Sequence, residues 1–131
     1  MTSPAAGGAE ALVGAWRLVG CTLTDGEGRV TRPYGTEPNG AILYTPDGWM
    51  ACHMEPGGVV DEPSFGQSSY FASVTVRPEA GVVVHHVEGS STPFVAGDQI
   101  RHYRFEGALL HLEAEANGLQ AHLVWRRADA H

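Results

Sequence analysis

The sequence predicts an all-β domain, an eight-stranded antiparallel up-and-down barrel preceded by a short N-terminal helical turn. Three observations predict it. Strand-like runs bounded by turn residues recur along the 131 residues. Nowhere does a 3.6-residue apolar period persist beyond about two turns, the least that would mark a helix. Consecutive strands joined by short turns leave two unpaired edges, and closing the sheet on itself removes them. A β-sandwich is the alternative that the same strand signals allow.

Each element has its own reason. Residues 1–8 are small and polar and read as a flexible tail, 9–128 as one domain, and 129–131 as a C-terminal tail. Residues 10–14 suit a helical turn that plugs or caps the barrel. Residues 15–24 form the first strand, with Trp16 and Leu18 on one face. After the Asp25-Gly26-Glu27-Gly28 turn, residues 30–38 carry Pro33 and Pro38 and read as an ordered loop or edge segment. Residues 41–44 form the second strand. Thr45-Pro46-Asp47-Gly48 places Pro second and Gly fourth, a type I turn signal. In the third strand, 49–55, Met50, Cys52 and Met54 share the expected interior face, opposite Trp49, Ala51 and His53.

Residues 56–69 are rich in Gly, Pro, Ser and acid. Loops longer than about 12 residues in a compact domain are commonly functional, so this one is a candidate lid. Residues 70–77 form the fourth strand, and the valines of 81–90 favour a fifth. Alternation puts Val83, His85 and Val87 on one face of it and Val82, Val84, His86 and Glu88 on the other. Residues 98–106, 109–116 and 119–127 complete the eight, with turns at Gly107 and Asn117-Gly118.

Composition excludes several functions. With 43% apolar and 18% charged residues, the chain can build a core. A net charge of −7 repels nucleic-acid phosphates and anionic membranes, so neither is an expected partner. All eight cations are Arg, whose planar, permanent charge suits recognition of an anion or carbonyl. The N-terminus lacks a basic region followed by an apolar run, which makes the cytoplasm the expected location. Cys21 and Cys52 are too few for a disulfide scaffold and read as buried free thiols. No HExxH or CxxC spacing, GxGxxG unit, P-loop or GxSxG elbow occurs, so neither a metal nor a cofactor is expected.

Leu12-Val13-Gly14-Ala15-Trp16-Arg17-Leu18-Val19, Thr31-Arg32-Pro33-Tyr34-Gly35, Tyr44-Thr45-Pro46-Asp47-Gly48-Trp49-Met50, His85-His86-Val87-Glu88 and Leu123-Val124-Trp125-Arg126-Arg127 together resemble the bacterial lipocalin-like domain family. The stretch 55–69, with the vicinal acids Asp61 and Glu62, departs from that family's pattern. The resemblance implies a small cup for one largely apolar molecule. It also implies that Trp16 closes one end and that a basic residue of the last strand packs across it; parity with Trp125 favours Arg127.

The inner face then supplies the candidate chemistry. With Tyr103 and Phe105 inward, Arg101 and Gln99 share their face, and Ile100, His102 and Arg104 point out. A buried Arg without a partner is costly, so an inward Arg101 calls for one. His85 and Arg101 would lie in the same half of the barrel and offer donors to an enolate, carboxylate or carbonyl oxygen. The expected catalytic set is His85, Arg101 and Tyr103. Tyr44, Met50, Cys52, Met54, Tyr70, Gln99 and Phe105 are the expected ligand contacts. For His85 the alternative is a satisfied core histidine, and for Arg101 a buried acid or carbonyl as partner. The function expected is that of a cofactor-independent cyclase or isomerase acting on a polyketide-like intermediate of secondary metabolism. The alternative is a non-catalytic binding or carrier protein, and a homodimer is left open.

Overall fold

The computed structural model describes residues 7–62, 64–92 and 95–128. A short helix, α1 (Ala9–Leu12), precedes strands β1 (Gly14–Thr24), β2 (Val30–Thr31), β3 (Asn39–Tyr44), β4 (Trp49–Glu55), β5 (Ser68–Arg77), β6 (Val82–Ser90), β7 (Asp98–Glu106), β8 (Leu109–Ala116) and β9 (Leu119–Arg127). The eight long strands pair antiparallel in sequence order, and β1 also pairs with β9, which closes the barrel. The two-residue β2 adds to the far end of β1, so the Pro-containing segment after the first turn is an edge piece. Among the described residues no helix is long and apolar enough to cross a membrane, a statement that does not extend to strands.

Two bulges adjust the alternation. Leu18 pairs with Trp125 and Gly20 with Val124, so Val19 is the extra residue in β1. The buried positions accordingly step from Trp16 and Leu18 to Cys21. In β6 the pairing steps from Phe71–Gly89 to Ala72–Val87, which makes Glu88 the extra residue.

One end of the barrel is shut. Leu12 and Trp16 are buried there, and the Trp16 indole Nε1 donates to Leu12 O at 2.9 Å. The Arg127 guanidinium lies 4.1 Å from the centre of the Trp16 ring. Its Nη1 and Nη2 donate to Val13 O at 2.6 Å and Ala11 O at 2.9 Å, carbonyls that the short helix leaves without helical partners. The expected closure by Trp16 and Arg127 is therefore present.

At the opposite end, residues 57–61 and 65 lie along segment 32–37. Backbone bonds run from Thr36 N to Val59 O, Glu37 N to Gly57 O, Gly57 N to Tyr34 O and Asp61 N to Arg32 O. The Asp61 carboxylate accepts the Arg32 N–H at 2.8 Å. Tyr34 is buried and meets Phe65 edge to face.

Candidate functional site

His85 stands inside the barrel because β6 alternates: Val83 and His85 are buried, while Val82, Val84 and His86 are half-buried on the other face. Its side chain is 1% exposed, so both ring nitrogens need partners from the protein. Two tyrosines provide them. Tyr44 Oη, from the end of β3, lies 2.7 Å from Nε2. Tyr70 Oη, from β5, lies 2.8 Å from Nδ1. Burial, then the charges of Arg101 and His86, push the His85 pKa down to about 3, so the imidazole is neutral.

A neutral imidazole carries one N–H and one lone pair. One tyrosine must therefore donate to His85 while the other accepts from it. A relay along the line Tyr44–His85–Tyr70 takes a proton from one phenol and gives one to the other, so it stays neutral only where a bound molecule supplies a proton to the first and receives one from the second. Both phenols stay protonated, since burial first and then the neighbouring Cys52 and phenol oppose ionisation of Tyr44, and burial and Cys52 do so for Tyr70. Tyr70 also meets the Cys52 thiol and the Arg101 guanidinium. Cys52 pairs directly across the strands with Tyr70, and burial pushes its thiol up to about 11.

Arg101 is half-buried on the inward face of β7, directly opposite Val83. Its Nη2 donates to Gln99 Oε1 at 3.2 Å and its Nη1 to Ile100 O at 3.2 Å. Its charge is felt at Tyr44, Cys52, Tyr70 and His85 alike. Among the described residues no carboxylate pairs with it.

The structure thus gathers His85, Arg101, Tyr44, Tyr70, Cys52 and Gln99 into one neighbourhood. Met50 and Met54 are buried on the same inner face of β4 as Cys52. Tyr103 and Phe105 go elsewhere: the Tyr103 hydroxyl donates to Gly7 O, and Phe105 packs 6.0 Å from both the Trp16 and Tyr103 rings, at the shut end. The direct partners of His85 are tyrosines that sequence reading assigned to ligand contact. Buried Tyr34 and Ser68, which touch each other, carried no sequence signal beyond a Tyr-Gly pair and a polar loop.

The family model for the lipocalin-like domain matches residues 13–61, from the shut end through β4 and into the segment beyond it. No curated protein and no solved structure matches the chain. The matched segment, less than half of the chain, and the closed eight-stranded barrel make the chain similar to lipocalin-like domains, an architecture that suggests small-molecule binding.

Proposed function

We propose that the barrel takes up one small, largely apolar molecule through a carbonyl, enolate or carboxylate oxygen. On this reading it catalyses cofactor-independent isomerisation or cyclisation of a polyketide-like intermediate. The observation that carries the reading is Arg101: an inward cation with no carboxylate partner among the described residues, beside a neutral Tyr44–His85–Tyr70 line. A guanidinium in that position would stabilise the negative charge that builds on an oxygen as a neighbouring carbon loses its proton. The tyrosine–histidine line would accept that proton and return one, which is general acid–base work. Met50 and Met54 give an adaptable apolar wall for the remainder of the molecule. A carrier protein would need Arg101 for binding but not the proton line.

Two probes separate these readings. Binding is followed with cis-parinaric acid, and proton transfer with an alkyl 1,3-diketone whose central carbon exchanges hydrogen for deuterium. His85→Gln should leave parinarate binding intact and slow catalysed exchange at least ~100-fold. Arg101→Gln should weaken parinarate binding by about 10- to 100-fold, the loss of a charge-assisted contact. Parinarate binding without catalysed exchange would favour the carrier, and failure of both probes would remove the interior ligand site.

A further inference from the structure

The outer face of β4 and β5 carries a second arrangement of hydroxyl, imidazole and carboxylate. His53 and Glu55 alternate onto the outward side of β4, and Ser69 pairs directly with His53 across the strands. Ser69 Oγ lies 2.5 Å from His53 Nδ1, and His53 Nε2 lies 3.0 Å from Glu55 Oε1. The Glu55 carboxylate can only accept, so it holds the proton on Nε2 and leaves the Nδ1 lone pair facing the Ser69 hydroxyl. That is the tautomer a general base needs.

His53 and Ser69 border a hollow of about 530 Å³, whose lining includes Leu43, Ala51 and Phe71 and also Cys52 and Tyr70 of the interior group. Gly89 makes room for it: a Cβ there would stand 2.5 Å from the Phe71 ring. Ser91 completes the surroundings. Its Oγ accepts the Ser69 N–H at 2.9 Å, which leaves its own hydroxyl proton free to donate. One strand pair further on, Thr75 meets His86 Nε2 and Asp98 meets His86 Nδ1 at 2.8 Å each, the same kinds of contact with the ring nitrogens exchanged, but neither Thr75 nor His86 borders this hollow. Among the described residues, the coincidence of a primary hydroxyl, an oriented base and an apolar groove is particular to Ser69.

We infer that Ser69, His53 and Glu55 form an acyl-transfer site that hydrolyses esters with short apolar acyl chains held against Leu43 and Phe71. Ser69 Oγ bonds to the carbonyl carbon while its proton passes to His53 Nδ1, and the carbonyl electron pair moves onto oxygen, where the Ser91 hydroxyl donates. Collapse breaks the bond to the alcohol oxygen, which leaves with the proton from His53. Water then gives a proton to His53 and attacks the acyl carbon, and Ser69 Oγ departs with that proton. The sum is ester plus water giving acid plus alcohol.

The test uses the whole protein, p-nitrophenyl butyrate and a fluorophosphonate label. The expected results are a single adduct at Ser69, hydrolysis falling to the buffer rate in Ser69→Ala, and a loss of at least ~100-fold in His53→Gln. Glu55→Gln should cost at least ~10-fold through the tautomer. Thr75→Ala, which removes the comparable hydroxyl–histidine contact between β5 and β6, should change nothing. All four positions are at least partly exposed, and circular dichroism checks that the barrel is retained. Hydrolysis that survives Ser69→Ala, or a label that misses Ser69, would overturn the assignment.

Discussion

At the scale of single residues, His85 couples stability to pH. Folded, its pKa is about 3 against an ordinary 6.5, because burial and Arg101 disfavour the imidazolium. Between those values the unfolded chain binds a proton that the native chain does not, so stability rises with pH through the window. The His85 contribution is complete above about pH 6.5 and is lost as pH falls towards 3, at up to ~1.4 kcal/mol per pH unit. Urea unfolding at pH 7.5 and pH 5 measures it, and His85→Gln should remove about one proton from the uptake on unfolding. Burial acts in the opposite sense on the thiols, pushing Cys21 up to about 12 and Cys52 to about 11. Neither should react with a disulfide reagent at pH 8 until the barrel is unfolded.

At the scale of elements, the end opposite α1 depends on two chain segments lying close. Gly35 has φ +85°, and a Cβ on it would stand 2.0 Å from Gly57 O, the carbonyl that accepts the Glu37 N–H. Gly35→Ala therefore adds backbone strain and pushes the segments apart. We expect a loss of about 1–3 kcal/mol from strain alone, measured as a lower urea midpoint. Proteolysis within 56–62 should become faster in the same variant. Within the segment that sequence reading offered as a lid, residues 57, 59, 61 and 65 are bonded through their backbone to residues 32–37.

At the scale of the whole molecule, the shut end ties the last strand to the first helix. Arg127→Ala would remove the contact over Trp16 and both bonds to the carbonyls of Ala11 and Val13, leaving the barrel seam intact. The expected cost is about 2–4 kcal/mol, from a cation–π contact and charge-assisted hydrogen bonds. It should appear as a lowered thermal midpoint with an unchanged far-ultraviolet spectrum.

The barrel was legible because strand order, turn chemistry and period-2 alternation are local properties of the chain. Met50, Cys52 and Met54 lie on the buried face for that reason, and so do Val83 and His85. Arg127 follows from parity with Trp125 along one strand. Local alternation does not survive a bulge, so the step from Leu18 to Cys21 had no sequence signature. Nor could it name contacts across the barrel. The partners of His85 lie 41 and 15 residues away, and their meeting depends on strand register and stagger around a closed sheet. The sequence alone therefore determined the fold and the direction in which His85 and Arg101 point. Tertiary structure decided that His85 is a neutral link between two tyrosines, because closure excludes water from both ring nitrogens and brings phenols from β3 and β5 to replace it.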